Sequence, residues 1–448
     1  MNILVINGSP KGNNSITLQT VLYLEKLNPN HKFNILNVGA KIKLLEKDFA
    51  PAIEAIKAAN VLLFSYPVYT FIAPCQLHRF IELMKEHGVN VVGKVATQIT
   101  TSKHFYDITA HRYIQDNCQE MGMNFIRGLS ADMEDLTTKK GQKQASDFWN
   151  HFCWCVEKEY FEPVYVRPVT LALHQATVPA HSSANLDGDV VIVTDCTPEN
   201  ESLTAMIARF QAVLPKKTRI VNISEYPFKG GCLGCFNCAV DGTCIYKDGF
   251  DTFLREDIQK ADAIVYAFTI RDHSMGARFK MYDDRQFCNG HRTVTIGMPV
   301  GYLVSGCYSV ETNLQTIIEG RANVGQNILA GVATDEFDPN AEIDRLADSL
   351  VYALEHKNVE PQNFLGIGGM KIFRDLIYQM QGMMRADHKF FKAQGQYDFP
   401  QKNKGQIAFM YLVGAMLGNK KLKAKMGGKM NEGMLMPYKK VLDELDKK

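Results

Sequence analysis

The feature that most constrains the fold is a strand, loop and helix pattern that occurs twice in the chain. Residues 2–7 form a continuous apolar run of strand length, a polar loop follows, and a helical periodicity begins at Ser15. Residues 189–194 repeat the apolar run, and the stretch from Glu201 repeats the helix start at an offset of 187 residues. A strand that leads through a loop into a helix is typical of parallel α/β sheets. The chain is therefore predicted to hold one α/β fold in two copies.

Within the first copy, apolar runs alternate with amphipathic stretches of helix length. The predicted strands are residues 2–7, 33–38, 61–66, 91–98 and 123–128. Because crossover helices must cover both faces of such a sheet, five strands in this order indicate a doubly wound parallel sheet. The predicted domains are residues 1–165 and residues 189–357, joined by a linker at residues 166–188.

The second copy is longer than the first at one place. Residues 261–266 match residues 59–64 at an offset of 202, so the second copy has gained 15 residues before this point. The gain falls between Asn222 and Lys247. This insertion contains four clustered cysteines, Cys232, Cys235, Cys238 and Cys244.

The C-terminal residues 358–448 lack the strand alternation and are predicted to form a basic helical appendage. From His356 to Lys448 there are 17 Lys and Arg against 8 Asp and Glu, so the preceding residues carry a formal charge of −7. The longest apolar stretch, residues 407–417, is too short to span a bilayer, and no transmembrane segment is predicted. The N-terminus shows no secretory signal, so we expect a cytoplasmic protein whose cysteines stay reduced.

The loop after the first strand is rich in small polar residues. Its glycines permit a turn, and the donors it offers are Ser9, Lys11, Asn14, Ser15 and Thr17. A loop that runs from a parallel strand into a helix N-terminus suits a phosphate, and a hydroxyl-rich loop suits a monophosphate in particular. The loop matches neither the Walker A nor the dinucleotide fingerprint. The alternative interpretation is an ordinary turn.

The equivalent loop of the second copy is acidic. Asp195, Glu199 and Glu201 stand where the first copy has two glycines and an asparagine. Carboxylates repel a phosphate dianion in a poorly screened site. The second copy is therefore not expected to hold a phosphate in the same way.

Three segments of the first copy resemble the NADPH-dependent FMN reductase and iron-sulfur flavoprotein families of the flavodoxin-like fold. They are Gly8-Ser9-Pro10 with the following helix start, Pro67-Val68-Tyr69 after the third strand, and Thr100-Thr101-Ser102 after the fourth. The resemblance implies that the first segment holds the phosphate of FMN and that the other two lie along the flavin ring. The residues implied to bind FMN are Ser9, Lys11, Asn14, Ser15, Ile16, Thr17, Pro67, Val68, Tyr69, Thr100, Thr101 and Ser102.

The resemblance also gives the predicted fold class a name. The chain is predicted to be an α/β protein with two flavodoxin-like, doubly wound, parallel five-stranded sheets in tandem and a helical C-terminal appendage. The two copies are expected to form an internal pseudo-dimer, in which the second copy walls the flavin cavity of the first. Further homo-oligomerisation is left open.

The four clustered cysteines lie within 13 residues, with two, two and five residues between them. Such a loop can close around one compact centre, and the two short spacings resemble those of ferredoxin-like cluster loops. Zinc ribbons usually separate their cysteine pairs by a longer span. The loop is similar to the cysteine motif of iron-sulfur flavoproteins, which implies a [4Fe-4S] cluster on Cys232, Cys235, Cys238 and Cys244. Free structural thiols and zinc remain the alternatives.

The resemblance implies an FMN-dependent NAD(P)H oxidoreductase that passes electrons from a nicotinamide nucleotide to an unidentified acceptor, with the cluster as a further carrier. No side chain is predicted to be catalytic, because the flavin carries such chemistry. One alternative is an FMN and iron-sulfur electron-transfer protein that serves protein partners without a nicotinamide. Another is a regulatory module whose basic tail binds nucleic acid or anionic lipid, although nucleic acid is not the expected partner.

Overall fold

The computed structural model describes residues 1–164, 172–180, 187–418, 420–421 and 429–445. Most of the predicted linker, residues 166–188, therefore lies outside the described residues. The chain divides into two compact units, Met1–Phe390 and Phe391–Lys448. The first unit contains both sheets.

The first sheet is built by the N-terminal part of the chain. Its elements are β1 (Asn2–Asn7), α1 (Ile16–Leu27), β2 (Lys32–Leu36), α2 (Val38–Leu45), α3 (Ala50–Ala58), β3 (Val61–Pro67), α4 (Cys75–Glu86), β4 (Val95–Ser102), α5 (Asp107–Glu120), β5 (Asn124–Phe125), β6 (Leu129–Asp132) and α6 (Lys139–Lys158). The strand order is β2-β1-β3-β4, and both β5 and β6 pair with β4 in parallel. The predicted fifth strand is thus two short strands that share one edge, which gives six strands in all.

The second sheet repeats this architecture. Its elements are β7 (Val190–Thr194), α7 (Glu201–Val213), β8 (Thr218–Asn222), α8 (Asn237–Asp241), α9 (Phe250–Phe253), β9 (Ala263–Thr269), α10 (Gly276–Arg285), β10 (Pro299–Ser305), α11 (Thr312–Gly325), β11 (Ile328–Thr334) and α12 (Pro339–His356). All five strands are parallel, in the order β8-β7-β9-β10-β11. This is the flavodoxin-like order, so the predicted fold class of two such sheets in tandem is confirmed.

The strand register supports the duplication at the level of single residues. Ile3 pairs with Val61 in the first sheet, and Val190 pairs with Ala263 in the second. The two pairs stand 187 and 202 residues apart, which are the offsets found in the sequence. The central strands are apolar throughout because helices bury both of their faces.

The two copies meet through equivalent helices, because α4 of the first packs against α10 of the second. Beside this contact, His78 Nδ1 lies 2.7 Å from Asp272 Oδ2, and both side chains are fully buried. The hydroxyl of Tyr113 donates to the same carboxylate at 2.8 Å. Burial works to raise the pKa of Asp272, but His78 and these hydrogen bonds hold it below its usual value. A buried polar network therefore joins the two copies, consistent with the predicted pseudo-dimer.

Beyond the second sheet the chain is helical. The remaining helices are α13 (Phe364–Gln379), α14 (Arg385–Ala393), α15 (Lys404–Gly418) and α16 (Lys429–Leu445). Helix α13 packs against α11 within the first unit. In the part of the chain that the structure describes, no helix is long and apolar enough to cross a membrane.

Candidate functional site

One cavity of the first unit is bordered by residues from both copies. Ten of the twelve residues predicted to bind FMN line it, namely Ser9, Lys11, Ser15, Ile16, Thr17, Pro67, Val68, Tyr69, Thr101 and Ser102. All four clustered cysteines, Cys232, Cys235, Cys238 and Cys244, line the same cavity. The structure thus brings together two groups of residues that are more than 100 positions apart in the sequence.

The loop from β1 to α1 is shaped by its own hydrogen bonds. Gly12 has a positive φ of 53°, and the Asn7 side chain donates to its carbonyl at 2.9 Å. Ser15 caps α1, with its hydroxyl accepting from the Leu18 amide at 3.4 Å. The first amides of a helix have no intrahelical partner, and the helix dipole makes this end partially positive. The cavity therefore has a wall that suits an anion.

Hydroxyl groups extend this wall to the end of β4. The hydroxyls of Thr17 and Thr101 lie 2.6 Å apart, which ties the helix start to the neighbouring strand. The other two predicted residues lie outside the lining: Asn14 is exposed, and Thr100 is fully buried with its hydroxyl 2.8 Å from His111 Nε2.

The Pro67-Val68-Tyr69 segment continues into a tight turn. Tyr69 and Ile72 exchange two backbone hydrogen bonds, of 2.8 and 3.1 Å. Between them, Thr70 and Phe71 have positive φ values of 39° and 74°. Non-glycine residues rarely adopt this conformation, which persists only where the surroundings impose it.

Those surroundings come from the second copy. Lys280 Nζ donates to the Tyr69 carbonyl at 3.1 Å and also to the Thr70 hydroxyl. Asp284 accepts hydrogen bonds from the Thr70 hydroxyl and from the Cys75 amide, the latter at 2.7 Å. Lys280 and Asp284 are fully buried and form an ion pair. A charged pair on α10 therefore holds the turn that shapes the cavity.

The cysteine loop contacts this turn directly. A Cβ atom at Gly234 would lie 1.9 Å from the Tyr69 hydroxyl, and Gly234 has a positive φ of 59°. Only glycine fits here, so the ring and the loop are in close contact. Burial, together with nearby Cys232, raises the pKa of Tyr69 well above its usual value. Tyr66, by contrast, is a core residue whose hydroxyl donates to Gln98 Oε1 at 2.6 Å.

Arg285 anchors the other end of the cysteine loop. Its guanidinium donates to both carboxylate oxygens of Asp248, at 2.9 and 2.7 Å, and to the Gly230 carbonyl at 2.9 Å. It also lies 3.8 Å from Cys244 Sγ. Burial alone would raise the pKa of Asp248, but the hydrogen bonds from Arg285 lower it to about 2. The pair therefore fixes the loop with an ionised carboxylate.

The predicted metal role of the four cysteines finds no support in the structure. Cys232 Sγ accepts from the Gly234 amide at 3.4 Å, and the Cys238 thiol donates to the Phe287 carbonyl at 2.8 Å. Burial raises the pKa of Cys238 to about 11, whereas a metal ligand must be a thiolate. Among the described residues, no group of three or more Cys, His, Asp or Glu side chains is arranged to hold a metal. A cluster on this loop stays a prediction.

Other lining residues were not predicted from the sequence. Phe105 follows β4, His291 follows α10, and Phe373 lies on α13 in the basic C-terminal region. The Phe105 and Phe373 rings stack 4.4 Å apart, and the His291 ring meets Phe373 edge-on at 4.8 Å. Phe373 carries no sequence signal, since it lies where the strand pattern has ended. His291 could have been noted as a histidine near the cysteine-bearing loop.

The second copy closes its equivalent cradle with its own side chain. Asp335, directly after β11, accepts hydrogen bonds from the hydroxyls of Ser202 and Ser305 at 2.6 Å each and from the Gly306 amide at 2.8 Å. Asp335 is fully buried. By register, Ser202 and Ser305 are the counterparts of cavity-lining residues in the first copy. A carboxylate therefore fills the position where the first copy offers donors to a ligand.

Comparison with known proteins relates the first copy to a family. Residues 1–134 match the family model of NADPH-dependent FMN reductase. No curated protein sequence matches the chain significantly.

Three solved structures illustrate what the chain is similar to. General stress protein 14 of Treponema denticola in complex with FMN is 12% identical over 34% of this chain and 99% of that one, with a TM-score of 0.29. The NAD(P)H:quinone oxidoreductase of Methanothermobacter marburgensis is 12% identical over 36% and 99%, with a TM-score of 0.29. The FMN-dependent NADH-azoreductase of Bacillus anthracis in complex with FMN is 14% identical over 34% and 99%, with a TM-score of 0.28. The resemblance read from the sequence motifs is confirmed by the family match, in which residues 1–134 correspond to the NADPH-dependent FMN reductase family.

Proposed function

We propose that the chain binds FMN in the cavity between its two copies and acts as an NAD(P)H-dependent oxidoreductase. The observation that carries this proposal is the convergence of ten predicted FMN residues on one cavity that the second copy completes. The family match covers the same part of the chain.

The phosphate end of the ligand would lie at the start of α1. Ser9, Ser15 and Thr17 are polar residues of the lining, and the free amides of the helix N-terminus add further donors. Lys11 supplies a positive charge at the same wall. Several hydrogen bonds to one dianion fix its position better than a single point charge would.

The flavin ring would lie against the apolar part of the cavity. Pro67, Val68 and Tyr69 come from the first copy, and Leu233 and Phe236 from the cysteine loop of the second. These side chains exclude water from the ring and hold it flat between the two copies. When bound, FMN supplies the exchange of a hydride or of single electrons between a nicotinamide and an acceptor. Since the sequence has no separate dinucleotide fingerprint, the nicotinamide would enter the same cavity.

The proposal is tested with the full chain purified without oxygen. We expect a yellow protein with a flavin spectrum that is bleached by NADPH or NADH. The variant Ser15→Ala should weaken FMN binding about tenfold, because it removes one hydroxyl and the helix cap. Its matched control, Ser202→Ala, alters the equivalent helix of the second copy and should leave FMN affinity unchanged. A wild-type chain that stays colourless after incubation with FMN would contradict the proposal. Iron analysis of the same sample tests the predicted cluster.

A further inference from the structure

We propose that His291, positioned by Asp387, donates a proton to an electron acceptor of the quinone class in this cavity. The inference rests on the proposed function and adds to it the class of acceptor and the group that protonates it. Neither residue lies in the segment that matches the family model, since that match ends at residue 134.

His291 lies where two cavities meet. The second cavity is bordered by the Thr70 turn, the residues after α10 and Arg321 of α11. His291, Phe105 and Phe373 line both this cavity and the FMN cavity. A molecule next to the flavin would therefore be within reach of the same imidazole.

The imidazole is held by a buried carboxylate on α14. Asp387 Oδ2 accepts from the His291 amide at 3.2 Å and lies 3.0 Å from His291 Nδ1. The Asp387 side chain is fully buried, and Arg292 Nη1 lies 3.7 Å from its other oxygen. A carboxylate only accepts hydrogen bonds, so Nδ1 carries a proton. The Nε2 atom is then the one that exchanges protons with a bound molecule.

Close contacts fix the orientation of this pair. A Cβ atom at Gly290 would lie 2.3 Å from Asp387 Oδ1, so the carboxylate lies directly against the backbone beside His291. The rings of Phe287 and Phe373 meet the imidazole edge-on, at 5.7 and 4.8 Å. In the described part of the chain, Nε2 has no hydrogen-bond partner. The nitrogen that is not used for positioning is thus left for chemistry.

Proton balance shows why such a group is needed. Reduction of a quinone to a hydroquinone consumes two electrons and two protons. Both electrons and one proton arrive as the hydride that originates from NAD(P)H. The second proton passes from Nε2 of the protonated His291 to a quinone oxygen, and the neutral imidazole regains a proton from water. Among the residues that line the two cavities, His291 is the one histidine, and histidine is the side chain that ordinarily titrates near neutrality.

The test compares two acceptors on the full chain loaded with FMN. Menadione needs a proton during reduction, whereas ferricyanide accepts single electrons and needs none. The quantity measured is the ratio of the menadione rate to the ferricyanide rate, both driven by NADPH. His291→Gln should lower this ratio at least about tenfold, because general acid catalysis is lost. Asp387→Asn keeps the hydrogen-bond acceptor but removes the charge, so it should lower the ratio by a smaller factor. The control His356→Gln, an exposed histidine on α12, should leave the ratio unchanged.

The outcomes separate this proposal from the function on which it rests. A ratio that stays constant in His291→Gln overturns the proton-donor role, whether both rates fall together through structural damage or neither rate falls. A wild-type chain that binds no FMN overturns the proposed function and this inference together. A lowered ratio in both variants, with bound FMN retained, supports the pair as proton donor and positioning residue.

Discussion

The two copies share a fold but differ at the carboxyl ends of their strands. In the first copy, Ser15 and Thr101 line a cavity. In the second, their counterparts Ser202 and Ser305 donate to the buried carboxylate of Asp335. The comparison shows that a duplicated anion site is closed without disturbing the sheet when the chain supplies the anion itself.

The sequence interpretation attributed the difference to repulsion, and the structure adds a second cause. Asp195 replaces Gly8 at the start of the second loop and is buried, which raises its pKa to about 6. Asp335 acts differently, because it satisfies the donors that a phosphate would otherwise use. The loop is thus both acidic and already occupied.

The second copy has gained a wall in place of a cradle. Its insertion carries the cysteine loop, which touches the Tyr69 turn at Gly234. Its helix α10 carries Lys280 and Asp284, which hold that turn. One copy therefore offers the donors, and the other completes the cavity around them.

The comparison breaks most sharply if the first cradle is closed in the same manner as the second. Thr101 pairs with Ala131, and Val304 pairs with Thr334, so Ala131 occupies the register position of Asp335. Ala131→Asp should raise the FMN dissociation constant at least about 1,000-fold, because a buried carboxylate repels a phosphate dianion by several kcal/mol. Fluorescence titration with FMN measures this. The isosteric but neutral Ala131→Asn is the control, and equal affinities for the two variants would contradict the account.

The wall of the second copy is tested at its buried ion pair. Asp284→Ala leaves Lys280 buried without its partner and should lower the free energy of unfolding by about 3–5 kcal/mol. Urea denaturation gives the value. The exposed pair of Lys57 and Glu54 is the control, and Lys57→Ala should change stability by less than about 1 kcal/mol. If Asp284→Ala were as mild as the control, the turn would not depend on the second copy.

The closed cradle is tested by reopening it. Asp335→Ala removes the acceptor of three hydrogen bonds and should destabilise the chain by about 2–4 kcal/mol. With FMN already saturating, added inorganic phosphate should raise the melting temperature of this variant but not that of the wild type. An equal response of both proteins would show that the second copy does not retain a closed anion cradle.

The smallest expected effect concerns Asp195 and pH. Its pKa in the folded chain is about 6, against 3.8 for the ordinary side chain, because burial disfavours the charge. The folded state therefore binds the extra proton between about pH 4 and pH 6, and stability falls as the pH rises through this window. Asp195→Asn should stabilise the chain at pH 7.5 by about 2–3 kcal/mol and lose this advantage near pH 4. A stability difference that does not vary with pH would contradict this assignment.

Much of the fold was readable because its signals are local. Apolar runs fixed the strands, and matching offsets revealed the duplication that the register later reproduced. The cradle was also local, since its loop chemistry lies within one strand–helix connection. The domain boundaries at residues 165, 188 and 357 stay predictions.

The features that were missed depend on contacts between distant residues. Alternation along β4 turns Thr100 towards His111 while Thr101 faces the cavity, so a run of three hydroxyl residues supplies only two. Asp335 meets Ser202 across 133 positions, and Phe373 reaches the cavity from a helix beyond both sheets. No local pattern encodes such contacts.

The central claim is that one copy holds FMN and the other is closed by its own carboxylate. The most direct test is the stoichiometry of FMN released from the saturated, desalted full-length chain, measured by absorbance against protein concentration. The account predicts one FMN per chain. Two FMN per chain would show that the second cradle accepts the ligand despite Asp335, and none would show that the first cradle does not.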